Sequence, residues 1–192
     1  MDLCAKYEKF RLIIAGCFNF LYFYRNRIFC LKKLFFIRHA KSDQSFFGND
    51  FERPLNERGK TDAPVMAKRL LEKTVKPDAL FVSPAARAKR TAELFADTLD
   101  ISLKDIIYIS ALYHAQSEVF YDVVASLPDE QDTVAVFSHN PGITHFVNSL
   151  DTGIQIDNMP TCAIFAVSAD ITSWSGFAKA KKEFLFFDYP KK

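Results

Sequence analysis

The chain has 192 residues, is 49% hydrophobic and 25% charged, and carries a formal net charge of +2 at pH 7. That length suits one domain with an appendage, and that composition supports a packed core and excludes a disordered chain. The near-neutral balance lacks the basic stripe of a nucleic-acid binder, so no nucleic acid is expected as a partner.

Residues 1–30 differ from the rest. Leu12 to Tyr24 is a nearly continuous apolar run of 13 residues, broken by Asn19, with Lys6, Lys9 and Arg11 before it and Arg25, Arg27, Lys32 and Lys33 after it. A spanning helix needs about 20 apolar residues, so the run is too short to cross a membrane. Three readings stay open. One is a dispensable or poorly ordered extension ahead of a domain that starts at Leu31. Another is a basic, aromatic-rich segment that associates weakly with a membrane surface through residues 10–33. The third is a processed signal, since Ile14-Ala15-Gly16-Cys17 looks like a lipoprotein cleavage site. The expected organisation is an extension over 1–30 and one domain over 31–192. Cys4, Cys17, Cys30 and Cys162 form no C-x-x-C pair, which is neither a disulfide framework nor a zinc pattern and points to a reducing, cytoplasmic setting.

From Leu34 the chain alternates strands and helices. LFFI reads as a buried strand ending on Arg38-His39. Gly48, Asn49 and Asp50 mark a loop. Asn56 is a good N-cap for a helix to about Glu72, and Pro64 predicts a kink or restart near Asp62. Ala79 to Val82 is a short strand, followed by Ser83 as N-cap, Pro84 at the first helical position and the helix AARAKRTAELFADTL. Ile106 to Ile109 is a strand, and the next helix runs to about Ser126. Thr133 to Phe137 is a strand leading into Ser138-His139-Asn140-Pro141-Gly142 and a helix from about Ile143. Thr161–Val167, Trp174–Ala178 and Glu183–Phe187 read as edge strands. The alternation predicts an α/β fold with a largely parallel sheet.

In such sheets ligands bind at the carboxyl ends of strands. Three ends carry Arg38-His39, Ser83 to Arg87, and Ser138-His139. Arginine forks match phosphate oxygens, a neutral imidazole is a competent nucleophile, and phosphoryl transfer depends on positioning and charge stabilisation. The set holds no carboxylate cluster, so no metal site is expected.

RHAKS, SPAARAKRTAE and SHNPG, in this order, resemble the histidine phosphatase superfamily, the phosphoglycerate mutase-like group, and within it the SixA-type phosphohistidine phosphatase branch. FERPLNERG, PDALFVSPAARA, ALYHA and MPTCAI fit that branch too, over about residues 31–187. The resemblance implies a three-layer α/β/α sandwich with a mostly parallel central sheet. It implies a phosphatase without metal or other cofactor, working through a phosphohistidine intermediate. The implied partner is a protein bearing phosphohistidine, or a small phosphorylated substrate. His39 is then the nucleophile, with Arg38, Arg87 and His139 completing the phosphate pocket. Ser45 and Arg53, in the loop after the nucleophile, contribute to phosphate or substrate binding, as does Asn140, which also stands next to His139 to orient it. Arg90 reads as a surface residue and His145 as a structural one, and His114 receives no role. Larger members protonate the leaving oxygen with a carboxylic acid. Here only 51 residues separate Arg87 from His139 and no acid stands out, Glu118 reading equally well as a helix-face charge. Two alternatives remain: a phosphatase for small phosphate esters, and a phosphate-binding module without turnover.

Overall fold

The computed structural model describes residues 31–73 and 76–190. The readings of residues 1–30 lie outside it. Six strands form one sheet: β1 Leu31–Arg38, β2 Ala79–Val82, β3 Ile106–Tyr108, β4 Thr133–Ser138, β5 Ile164–Asp170 and β6 Lys182–Asp188. Their order is β3-β2-β4-β1-β5-β6. The first four run parallel, and β5 and β6 close one edge antiparallel. Four helices are described: α1 Glu57–Lys73, α2 Ala86–Thr98, α3 Ser117–Ala125 and α4 Gly142–Asn148. Among the described residues no helix is long and apolar enough to cross a membrane.

The layers follow from the period of two along a strand. Leu34, Phe36, Phe81, Val134 and Val136 point to one face and pack with Phe120, Val124, Phe146 and Val147 of α3 and α4. Their neighbours Phe35, Ile37, Leu80, Val82, Ala135 and Phe137 point to the other and pack with Met66 and Leu70 of α1 and Ala92 and Phe95 of α2. Both faces of the central strands are covered, which is why LFFI reads as an unbroken apolar run. The architecture is the three-layer α/β/α sandwich.

Three expectations need correction. α1 runs without a break through Pro64. A proline there removes one backbone bond, but Gly59, Ala63, Met66, Ala67 and Leu70 are buried along one side, and that packing holds the helix continuous. Residues 174–178 form no strand. Trp174–Gly176 is a single 3-10 turn, anchored where the Trp174 backbone N–H donates to Asp129 Oδ1 at 2.8 Å and its indole Nε1 donates to the Gln131 carbonyl at 2.9 Å. Ser83 does not cap α2, which starts at Ala86 with Ala85 as its N-cap. Its hydroxyl is used elsewhere, as described below.

Lys32, one of the cations flanking the apolar run, belongs to the sheet. It is 2% exposed, and its Nζ donates to the Asp129 and Gln131 carbonyls and to Asp132 Oδ1. That cation faces protein and is withdrawn from any lipid surface.

Asn56 caps α1 as the sequence predicts, accepting the Gly59 N–H on Oδ1 at 2.9 Å. Its own N–H donates to the Lys41 carbonyl at 3.0 Å, so the helix start is tied to the segment after β1. Gly59 makes this close approach feasible, because a Cβ there would lie 2.2 Å from the Lys41 carbonyl oxygen. An alanine inside a helix normally gains about 1 kcal/mol over glycine. At Gly59 the backbone clash outweighs that gain. Gly59→Ala is therefore expected to lower stability by about 1–3 kcal/mol, the usual cost of overpacking. Urea denaturation checks this, and a stabilised variant would contradict the contact.

Candidate active site

The site sits where three neighbouring parallel strands end level. Arg38 pairs with Ser138 across β1 and β4, and Val82 with Phe137 across β2 and β4. The ladder runs on past the strands: the His39 N–H donates to the Ser138 carbonyl and the Ser83 N–H to the Phe137 carbonyl, both at 3.0 Å. His39, Ser83 and His139 are thereby set side by side. Arg38, His39, Arg87 and His139 line one cavity of about 480 Å³, a size ordinary for a small-molecule site.

His39 is 6% exposed, and its Nδ1 lies 2.8 Å from the Ala40 carbonyl oxygen. A carbonyl only accepts, so Nδ1 carries the proton and the neutral ring holds its lone pair on Nε2. Burial pushes the imidazole down to about 3, against the Ala40 bond, and the charges of Arg87, Arg38 and Arg53 push the same way as burial. The Ala40 N–H donates to Thr91 Oγ1 at 2.9 Å, and the Thr91 hydroxyl donates to the Arg87 carbonyl at 2.6 Å. Thr91 therefore links the segment after His39 to the helix that carries Arg87.

His139 stands with its ring centroid 5.0 Å from that of His39. Its Nε2 is 2.7 Å from Ser83 Oγ. Burial lowers it to about 2, followed by the influence of His39, Arg87 and His114, with Asp50 acting oppositely. Ser83 orients His139. Asn140 does not, because its Nδ2 donates to Asn158 Oδ1 and, at 3.0 Å, to the Met159 carbonyl, while its Oδ1 accepts from the Thr144 hydroxyl at 2.7 Å. Asn140 lines the cavity but braces the 158–159 loop.

The guanidinium groups come next. Arg38 Nη1 donates to the same Met159 carbonyl at 2.6 Å. Arg87 is 3% exposed, and its Nη1 and Nη2 donate to the backbone oxygen and Oδ2 of Asp50 at 2.6 and 2.9 Å. Arg53 donates through Nε and Nη2 to Asp50 Oδ1 and through Nη1 to Ser42 Oγ at 2.8 Å. The Tyr113 hydroxyl adds a bond to Asp50 Oδ2 at 3.2 Å. Asp50 is thus a carboxylate held between two arginines at the mouth of the site. Partial burial raises its pKa, yet the bonds from Arg53 and the charge of Arg87 outweigh that and hold it at about 2.

Ser45 is not brought into the cavity. It is exposed, and its hydroxyl donates to Asp43 Oδ1 at 2.7 Å. Ser42 takes the place predicted for it, lining the cavity and accepting from Arg53. Glu118 is not among the lining residues, whereas Asp50 and His114 are. Arg90 is exposed and paired with Glu93 at 3.0 Å, and His145 lies on the exposed side of α4. The sequence did carry a signal for Asp50 in its i,i+3 spacing from Arg53. It carried none that separates Ser83 as a partner of His139 from Ser83 as a helix cap. Among the described residues no group of three or more His, Cys, Asp or Glu side chains is arranged to hold a metal ion.

A cationic pocket with two imidazoles, set at the carboxyl ends of a parallel sheet, is the arrangement of a ligand-binding α/β protein. The model of the histidine phosphatase superfamily (branch 1) matches residues 34–113 of this chain. Solved structures of SixA-designated proteins are similar to it in fold. The SixA-designated protein of Nakamurella multipartitia superimposes with a TM-score of 0.73 at 22% identity, over 84% of this chain and 98% of that one. The protein histidine phosphatase SixA complexed with tungstate gives a TM-score of 0.71 at 25% identity, over 83% and 97%. An uncharacterized protein of a Picosynechococcus strain is 34% identical over 65 residues, a match spanning 33% of this chain and 39% of that relative.

Both site histidines titrate in the fold far below the ordinary value near 6.5, at about 3 and about 2. As pH falls below 6.5 the unfolded chain takes up protons that the folded chain refuses. Stability is therefore greatest above pH 6.5 and drops as pH is lowered, by up to about 1.4 kcal/mol per unit for each histidine. Urea denaturation at pH 7, 6 and 5 is expected to show this slope, and His39→Gln with His139→Gln is expected to flatten it. A slope that survives the double substitution would assign the effect to other groups.

Proposed function

We propose that the chain is a metal-independent phosphatase that passes the phosphoryl group through His39, with phosphohistidine on a protein partner as its substrate. One observation carries the reading. Among the described residues five buried side-chain nitrogen and oxygen atoms have no hydrogen-bond partner, and three of them are Arg38 Nε, Arg87 Nε and His139 Nδ1. A buried polar atom left unpaired costs about 1–3 kcal/mol. Three such nitrogens around one cavity suit a group that brings several acceptor oxygens at once, as a phosphoryl group does.

The reaction follows from the positions. The phosphoryl group lies among Arg38, Arg87 and the two imidazoles. The lone pair on His39 Nε2 attacks phosphorus, the bond to the leaving group breaks, and a phosphohistidine forms. Water then attacks the phosphorus and returns the electron pair to Nε2. His139 Nδ1 faces the charge on the equatorial oxygens in both steps. The same burial that keeps His39 neutral keeps it nucleophilic at pH 7.

Substrate preference is argued from the acids. Glu118 is outside the cavity, and Asp50, the carboxylate that lines it, is held ionised. Among the described residues no protonated carboxylic acid lines the cavity to serve an alkoxide. Phosphohistidine is less demanding, because its ring accepts a proton from solvent on its free nitrogen and leaves as neutral imidazole. This favours phosphohistidine over small phosphate esters. The loop at the rim carries Phe47, fully exposed, with Phe46 and Phe51 beside it at 37% and 36% exposure, an apolar surroundings suited to a protein-borne substrate.

The test is a phosphoenzyme trap. The protein is mixed with phosphoramidate in the presence of a chelator, quenched in base and mapped for acid-labile phosphate. Phosphate on His39 is the expected result. His39→Ala is expected to abolish both trapping and turnover. Arg87→Ala is expected to cost about 3–4 kcal/mol of transition-state stabilisation, the scale of losing one oxyanion donor. A folded wild type that neither traps nor releases phosphate would move the site to a binding role without turnover.

A further inference from the structure

The geometry points to His114 as the residue that hands a proton to the leaving group, an inference that rests on the phosphatase reading above. His114 lines the same cavity as His39 and His139. The two reacting histidines are buried, while His114 is exposed, so it stands at the side from which a leaving group departs. Its ring packs against Tyr113 with centroids 4.1 Å apart, and the Tyr113 ring in turn meets His139 edge-on at 5.7 Å. The residue is held with φ at +54°, in the left-handed region. A non-glycine residue there costs energy and persists only where its surroundings fix it. Here the fixing is visible: the Ala115 carbonyl that follows is packed against Gly142, where a Cβ would come within 1.8 Å of that oxygen.

The other lining groups are committed. Asp50 is tied to Arg53, Arg87 and Tyr113 as an ionised carboxylate. His39 gives its Nδ1 proton to Ala40, and His139 is joined to Ser83. Among the remaining lining side chains His114 is the imidazole, the side chain used most often for general acid catalysis.

The step balances. His39 Nε2 forms a bond to phosphorus with its lone pair. The bond from phosphorus to the leaving atom breaks, its electron pair stays on that atom, and the His114 imidazolium supplies the proton. In the second half the attacking water forms a bond to phosphorus, the N–P pair returns to His39, and the water proton restores the imidazolium. With this donor the site handles leaving groups poorer than a protonated imidazole, and its substrate class extends from phosphoramidates to phosphate esters.

The experiment compares two aryl phosphates that differ in their need for a proton. Phenyl phosphate needs one, while the nitro group of 4-nitrophenyl phosphate stabilises its departing anion. The ratio of kcat/KM for phenyl over 4-nitrophenyl phosphate is measured for wild type, His114→Asn and His114→Gly, with phosphoramidate run in parallel. Asparagine and glycine both tolerate the left-handed backbone, so loss of fold is not the expected outcome. The expected result is a fall in the ratio of about tenfold or more in both variants, the low end of general acid catalysis. An unaltered ratio overturns the assignment. So does a wild type that releases phosphate from phosphoramidate but not from phenyl phosphate, and in that case the phosphatase reading stands. A wild type inactive on all three overturns both.

Discussion

The parallel ladder joining β1, β4 and β2 is the constraint on which the site depends. Each strand contributes one chemical group just past its last residue, and none of these groups is near another in sequence. They meet because the backbone bonds from His39 to Ser138 and from Ser83 to Phe137 hold the three strand ends in one register. A shift of one residue in a strand reverses the face of every side chain, so the hydrophobic alternation of Leu34, Phe35, Phe36 and Ile37 between two cores also fixes where Arg38 and His39 arrive. The core and the geometry of the candidate site are set by the same pattern.

That register produces an electrostatic arrangement that water would not permit. Two imidazoles lie within ring contact of each other and close to several guanidinium groups. Burial disfavours their charged forms and the arginines disfavour them further, so both rings are neutral at physiological pH. Two opposing properties meet at one cavity: strong positive charge and unprotonated ring nitrogens. Arginine suits this because it stays charged where a lysine or histidine would lose its proton.

Much of this was legible beforehand, for identifiable reasons. Strand ends could be placed because apolar runs stop at polar residues, and Arg38, His39, Arg87 and His139 all fall within a few residues of such stops. Ser45 and Asn140 were misjudged because proximity in sequence to a reactive residue says nothing about where a side chain turns. Ser45 folds back on Asp43, and Asn140 serves the 158–159 loop. Ser83 was misassigned because a serine before a helix has two competing uses, capping the helix or bonding across to a neighbouring strand end, and only the sheet order decides between them. Pro64 was given too much weight, because local propensity was set against a helix face whose burial could not be seen in one dimension.

The carboxylate of Asp50 gives the site a character of its own. Its resting charge is already partly cancelled by a group belonging to the protein, set between Arg53 and Arg87. An incoming anion therefore meets a weaker long-range pull than the bare arginines would exert, and the field that would gather any passing polyanion is trimmed. What remains is short-range: the buried Arg38 Nε, Arg87 Nε and His139 Nδ1 atoms, which have no partner among the described residues. A site built this way relies on hydrogen-bond geometry at close range, the part of an interaction that salt in the surrounding solution screens least.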